Sequence, residues 1–264
     1  MNILYCGDDG ICDGILLSAL SLCKHSKESM SIYVMTASVG ERRAISKHFA
    51  EKLECVLAKS DPKNKVILID ATELFCDYLP TANMGTRFTP LCMLRLFSDL
   101  VSDIPDKILY LDTDVLCRQD FSALYYTDIS DIEIAGVPDR YGKWFFGNVL
   151  RHDYLNSGVL LMNMKNIRKS GLFKKCRSMC RDKKMFMPDQ SALNKIAVKR
   201  KLPVRYNEQG RIKHETVFKH FTTFFAFFPY VHAVTVKPWQ TDKLHRQLKI
   251  FEFDDIIERY QKEK

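Results

Sequence analysis

The chain reads as an α/β protein with a mainly parallel central sheet flanked by helices, Rossmann-like at its start, and a small helical appendage at its C-terminal end. Three observations predict this. Short apolar runs alternate with helical patterns from the first residues onward, the stretches between runs are long enough for right-handed crossovers, and no repeat, low-complexity tract or long linker divides the 264 residues. One domain over residues 1–240 and a helical tail over residues 241–264 is the economical organisation.

Taken in order, Asn2 to Cys6 is a short apolar strand, Gly7-Asp8-Asp9-Gly10 a polar turn, and Ile11 to Cys23 a helix. Met30 to Thr36 predicts a second strand, Glu41 to Leu57 a second helix and Lys65 to Ile69 a third strand. A helical stretch from Thr89 to Leu100 carries Arg95, and the strand Lys107 to Leu111 ends on Asp112. Strands follow at Ile132 to Val137 and Gly158 to Asn163, then a basic helical region, a helix from Gln190 to Lys199 and a last strand from Thr216 to Phe221. Asp254 to Gln261 predicts a surface helix of mixed charge.

Composition is that of a globular protein, 46% hydrophobic and 27% charged. The longest apolar stretches, Ile15 to Leu22 and Phe224 to Val231, fall short of the roughly 20 residues a membrane span needs. No basic flank and cleavage site precede the first strand, so the chain is expected to start at Met1 and to be cytoplasmic. Nine scattered cysteines without a C-x-x-C pair suggest reduced thiols rather than disulfides or a tetrahedral zinc site. Of the net charge of +8, the segment Lys165 to Lys201 holds +11, thirteen Lys/Arg against two acids, which leaves −3 for the rest. That run is either a solvated helical face or a surface for anionic lipid headgroups or phosphates. Nucleic acid is not expected as a partner, since no recognised binding motif accompanies the charge.

The sharpest feature is Ile108-Leu-Tyr-Leu-Asp112-Thr113-Asp114. An apolar strand delivers two carboxylates to its C-terminal end, where parallel sheets place ligands. The tripeptide is turn chemistry, and it is equally a hard-cation site able to neutralise a departing diphosphate. Asp8 and Asp9 follow the first strand in the same way, to cap a helix or to meet a ligand. Asn156-Ser-Gly158 and Met187-Pro-Asp189-Gln190 put polar groups at the mouths of apolar segments, and Lys237-Pro238-Trp239 holds a cation at a rigid turn.

Together, in this order, these elements resemble retaining glycosyltransferase family 8, the group of bacterial lipopolysaccharide galactosyltransferases and glucosyltransferases and of glycogenin. The resemblance runs from Asn2 to about Trp239. It implies a GT-A fold and transfer of a hexose, glucose or galactose, from a UDP-sugar to a saccharide or lipid-linked acceptor, with Mn2+ or Mg2+, in bacterial cell-surface polysaccharide synthesis. The basic run from Lys165 to Lys201 would suit such an enzyme working in the cytoplasm at the anionic inner face of a membrane. By the same resemblance Asp8 binds uracil, Arg95 lies beside the donor, and Asp112 and Asp114 ligate the metal, with Asp112 also near the ribose and Thr113 between them counted among the donor-binding residues. Asp139 and Asn156 line the donor sugar, Asp189 and Gln190 are the catalytic pair beneath it, and Lys237 grips the diphosphate.

Two departures stand out. The family's base-stacking aromatic after the first aspartates is replaced by Gly10 and Ile11. The third metal ligand falls on one of two histidines: His220 has the family's local context but sixteen residues separate it from Lys237, whereas His232 has nearly the right spacing but is followed by Ala233. The favoured choice is His220. Outside this family, an apolar strand ending in Asp-x-Asp also resembles haloacid-dehalogenase phosphatases, with Asp112 as nucleophile. A non-catalytic nucleotide-sugar binding module is the other alternative.

Overall fold

Four strands, β1 (Asn2–Gly7), β2 (Ser31–Thr36), β3 (Lys65–Asp70) and β4 (Lys107–Leu111), run parallel in the spatial order β3-β2-β1-β4. Three more extend the sheet as β4-β7-β6-β8, where β6 is Ile134–Pro138, β7 is Leu155–Asn163 and β8 is Lys199–Lys201. β7 runs antiparallel to both β4 and β6, while β6 and β8 are parallel. The computed structural model describes residues 1–85, 89–142, 153–226 and 232–264.

Helices cover both faces, and the strands show it in their side chains. Ile3 and Tyr5 of β1 and Leu109 and Leu111 of β4 enter one apolar cluster, whereas Leu4, Ile108 and Tyr110 enter the other. Alternate residues point to opposite faces, so a strand buried on both sides must be apolar throughout, which is the pattern the sequence displays. The first cluster contains residues of α1 (Cys12–His25) and α2 (Lys47–Ala58), and the second contains Phe75 of α3 (Thr72–Asp77) and much of a 3₁₀ helix, Pro90–Leu100. Each buried Leu or Ile contributes about 1.5–3 kcal/mol of transfer free energy.

The helix expected from Glu41 begins instead at Lys47, capped by the Ser46 hydroxyl, which accepts from the Phe49 amide at 3.2 Å. Residues 41–45 are drawn away toward the end of β1. The Asp9 amide donates to the Arg43 carbonyl, and the Thr36 hydroxyl accepts from the Ile45 amide.

After β4 come β5 (Val115–Cys117) and the single helical turn α4 (Ser122–Tyr125). Following β7 are α5 (Met164–Ser170), α6 (Leu172–Asp182) and α7 (Pro188–Ile196). The expected helix over Gln190 to Lys199 is thus displaced: it starts at Pro188, whose fixed φ suits a first helical turn, and Lys199 belongs to β8. The last predicted strand is β9 (Phe218–His220), which pairs antiparallel with β5 in a small separate sheet, and β10 (Phe224–Ala226) pairs with β11 (His232–Val234) in another.

The tail contains the turn α8 (Thr241–Lys243), a π-helical turn Leu244–Leu248 and α9 (Asp254–Glu263). The expected surface helix buries one face. Phe253, Ile256, Ile257 and Tyr260 join the first cluster beside α1, and Lys24–Asp255 and Lys264–Asp13 ion pairs flank the contact at 2.6 and 2.7 Å. All nine cysteines are free.

Candidate active site

The chain passes from β1 to β2 on one side of the sheet and places β4 on the other side of β1, so a crevice opens beyond the C-terminal ends of β1 and β4. Because β7 is antiparallel, its first residues reach this same edge. The Asp112 amide donates to the Gly158 carbonyl at 2.8 Å, which sets Asn156, Ser157 and Gly158 beside the Asp112-Thr113-Asp114 turn. A cavity of about 290 Å³ lies there, lined by Arg95, Asp112, Asp114, Asp139, Asn156, Asp189, Gln190, His220 and Lys237 among others. Nine of the sequence-derived candidates therefore meet at one place.

Asp112, Asp114 and His220 form the group suited to a cation, each offering a ligand atom within 4.8 Å of the others. His220 Nε2 is 3.2 Å from Asp114 and 3.7 Å from Asp112. The pairing of β5 with β9 produces this approach, since Val115 stands opposite His220. On the far side of the imidazole, Nδ1 is 3.0 Å from the Asn207 side-chain oxygen. Asn207 in turn donates its amide to Asn156 at 2.9 Å, so its oxygen is an acceptor, Nδ1 carries the proton and the Nε2 lone pair faces the carboxylates. Two carboxylates and an imidazole so oriented fit a divalent ion such as Mn2+ or Mg2+. Gly158 makes room for them: a Cβ there would lie 2.2 Å from His220 Cε1 and 2.9 Å from an Asp112 oxygen. Gly14 does the same for the turn, because a Cβ on α1 would stand 2.8 Å from Thr113 Cβ.

Lys237 ion-pairs with Asp114. Burial opposes ionisation of Asp114, but contact with His220 and the charge of Lys237 overcome it and hold its carboxyl well below the usual range. His232 lies half-buried on β11, outside the Asp112–Asp114–His220 group among the described residues.

Arg95 is buried at the joint between β4, β7 and α7. Its guanidinium donates to the Cys92 carbonyl at 3.1 Å, the Ser157 carbonyl at 2.5 Å and Asp112 at 3.1 Å, and stacks 3.8 Å over the Tyr110 ring. Arg95 Nε also lies 3.2 Å from Asp189 Oδ2, yet that oxygen accepts no hydrogen bond from any described group, because the N–H is directed at Cys92. Burial raises the Asp189 carboxyl above its ordinary value, with Arg95 opposing and Asp112 adding to the shift.

Gln190 is held at both ends of its amide. Its oxygen accepts from the Ser157 amide at 2.9 Å and hydroxyl at 3.2 Å, and its nitrogen donates to Asp139 at 3.2 Å. The same Asp139 oxygen accepts from Asn156 at 2.9 Å.

Asp8 stands apart. It follows β1 as expected, but the cavity lining does not include it, and its oxygens accept from the Gly10 amide at 3.1 Å and from Arg42 at 2.8 Å. Thr113 faces α1 and is also outside the lining. Asn207, Tyr110, Gln209 and Arg42 were not among the sequence candidates. Asn207 and Gln209 sit in an unpatterned polar stretch, and Tyr110, which donates to Asp112 at 2.7 Å, reads in sequence as one more apolar strand residue.

The profile described as Glycosyl transferase family 8 matches residues 2–243. A lipopolysaccharide 1,2-glucosyltransferase of Escherichia coli is 25% identical over 257 residues, 90% of this chain and 73% of that protein. A lipopolysaccharide 1,3-galactosyltransferase of Salmonella typhimurium is 25% identical over 262 residues, 91% of this chain and 73% of its own length. In three dimensions the chain is similar to the galactosyltransferase LgtC, solved in complex with donor and acceptor sugar analogs, with a TM-score of 0.72 at 20% identity over 99% of this chain and 96% of LgtC. The mixed α/β architecture is accordingly a GT-A fold, and Asp112 ends the fourth strand in chain order, not the first strand that the phosphatase alternative requires. The chain belongs to glycosyltransferase family 8.

Proposed function

We propose that this glycosyltransferase moves a hexose, glucose or galactose, from a UDP-sugar to a saccharide acceptor with retention of anomeric configuration. The observation that carries the reading is the Asp112–Asp114–His220 group with Lys237 at the rim of a cavity whose other wall is Asp139, Asn156 and Gln190. Asp112, Asp114 and His220 would hold Mn2+ or Mg2+, which when bound neutralises charge on the leaving diphosphate. Lys237 adds a second cation at the same edge, Asp8 and Arg42 mark the side of the crevice for the base, and Arg95 fixes Asp112 from beneath.

Gln190 faces the anomeric centre with its amide clamped between Ser157 and Asp139. An amide so engaged is a poor nucleophile, which favours front-face substitution in which the leaving diphosphate accepts the proton of the attacking hydroxyl. Asp189, in the cavity lining beside Gln190, orients sugar hydroxyls.

Screening nucleotide-sugars for metal-dependent UDP release tests this, and the product anomer tests retention. Asp114→Ala is expected to lower the rate on the order of 10²–10³-fold. Undiminished release would reject the metal assignment, and an inverted product would reject the mechanism.

The exposed Lys165, Lys169, Lys174 and Lys175 of α5 and α6 suit contact with an anionic bilayer, as does an acceptor carried on lipid. No helix among the described residues is long and apolar enough to cross a membrane. Sedimentation with anionic vesicles is expected to carry the protein down, and recovery in the supernatant would discard this contact.

A further inference from the structure

A second cavity, about 660 Å³, adjoins the first and shares Tyr141, Gln209 and Thr222 with it. Four cations line this second space, Arg140, Arg211, Lys219 and Lys249, against one carboxylate, Glu252. In the first cavity both cations are ion-paired, Arg95 with Asp112 and Lys237 with Asp114. In the second, none of the four cations makes an ion pair with any described residue; the buried Lys219 donates to the carbonyl oxygens of Gly210 at 2.5 Å and Glu208 at 3.4 Å and lies 5.5 Å over the Phe221 ring, with the Glu208 carboxylate acting on it only at longer range. Neutral carbonyls orient an ammonium without cancelling its charge, so a concave site lined in this way attracts an anion.

Two local features show that the arrangement is built. The Arg140 guanidinium and the Glu208 carboxylate both close on Gly210, 3.1 and 3.0 Å from the point where a Cβ would stand, so a larger residue at 210 would press on both. Lys249 ends the π-helical turn in a left-handed conformation, φ 55°, and is the one non-glycine residue with positive φ among those described. Backbone strain and π-turns both concentrate at ligand sites.

Chain order ties the second cavity to the reaction. Arg140 follows Asp139, which bonds to Gln190, and Lys219 precedes His220. Arg140 and Lys219 are thus chain neighbours of groups proposed to meet the donor sugar and the metal, and the shared lining of Tyr141, Gln209 and Thr222 joins the two cavities.

We propose that this second cavity is an acceptor subsite for a phosphate ester, so that the acceptor is an anionic, phosphate-bearing saccharide whose hydroxyl reaches the first cavity past Gln209 and Thr222. The inference rests on the nucleotide-sugar reading above. The phosphate has two chemical sources, a substituent on the acceptor sugar or the diphosphate of a lipid-linked one. The volume suits a phosphorylated monosaccharide unit.

The test is calorimetric titration of glucose 6-phosphate and of glucose into protein saturated with UDP and Mn2+, at fixed ionic strength. Glucose 6-phosphate is expected to bind at least about tenfold more tightly than glucose. The double variant Arg211→Gln, Lys249→Asn is expected to erase that difference. Both residues are exposed, asparagine tolerates the left-handed backbone, and the variant's affinity for UDP reports whether it is folded. Farnesyl diphosphate distinguishes the sources: displacement of glucose 6-phosphate assigns the subsite to a lipid-linked diphosphate, and lack of displacement assigns it to a sugar phosphate. Equal binding of the two glucoses, or phosphate binding undiminished in the folded double variant, overturns the proposal. Should the wild type not bind UDP, the nucleotide-sugar reading falls, while the glucose 6-phosphate contrast still decides the cavity.

Discussion

On the β1–β4 side of the crevice the site is made of carboxylates fixed by charge: Asp8 by Arg42, Asp112 by Arg95, and Asp114 by Lys237. On the β7 side it is made mostly of amides fixed by directional hydrogen bonds: Asn156 to Asp139, Gln190 to Ser157 and Asp139, and Asn207 to Asn156. The first half can gather positive charge and a diphosphate, and the second offers a nearly neutral, rigid wall to a sugar. The difference teaches that neither half is complete alone. Arg95, Gly158 and Asn207 sit on the seam, and each joins a group from one side to a group from the other.

Arg95 spans the seam with the largest energy, touching Asp112 on β4, the Ser157 carbonyl on β7 and Asp189 on α7. Arg95→Met leaves the buried Asp189 carboxylate and the Ser157 carbonyl without their cation and Asp112 with Tyr110 as its remaining partner, and the expected loss of stability is about 3–5 kcal/mol in urea unfolding. Arg95→Lys keeps a charge but not the planar fork, so a smaller loss is expected. A loss below about 1 kcal/mol for the methionine variant would mean that the two halves hold their places independently.

Gly158 is next. Its missing side chain lets β7 pass against the imidazole, and a Cβ at 2.2 Å from His220 Cε1 and 2.7 Å from Nδ1 forces the ring aside. Gly158→Ala leaves the Asp112–Gly158 backbone bond available, so the fold is expected to persist while metal-dependent UDP release drops about 10²-fold, the cost of displacing a positioned group by roughly an ångström. Near-normal release would show that His220 is not needed where it stands.

The same division decides what the sequence makes legible. On the parallel side, β1 to β4 come out within about a residue of their observed limits, because these strands, including the partly exposed edge strand β3, are nearly uninterrupted apolar runs, and the carboxylates ending them are conspicuous against that background. On the other side the signals conflict. β7 begins at Leu155, three residues before the predicted Gly158, because the polar Asn156 and Ser157 break the apolar run for the sake of the site. β8 is Lys199-Arg200-Lys201, a strand with no apolar residue, at the sheet edge beside β6. Antiparallel placement of β7 and the meeting of β9 with β5 are long-range facts that no local pattern encodes. Asn207 was invisible for that reason, since its task is defined by residues 51 positions before and 13 positions after it.

Asn207 also gives the most discriminating variants, though with the smallest effect. Its oxygen accepts the His220 Nδ1 proton and its nitrogen donates to Asn156, so one side chain sets the metal-side imidazole and the sugar-side amide together. Asn207→Ala removes both bonds. Outer hydrogen bonds of this kind are worth about 10–100-fold in metal affinity, so the activation constant for Mn2+ is expected to rise by that factor, with turnover recovering at saturating metal. Asn207→Asp separates the two tasks. A carboxylate still accepts from Nδ1 and strengthens the imidazole as a ligand, but it cannot donate to Asn156 and meets the Asn156 oxygen as a second acceptor. Mn2+ activation is then expected to stay near the wild-type value while KM for the UDP-sugar rises. If both variants shift metal and donor dependence in parallel, Asn207 acts through general stability, and the two sides of the crevice are not separately set through this residue.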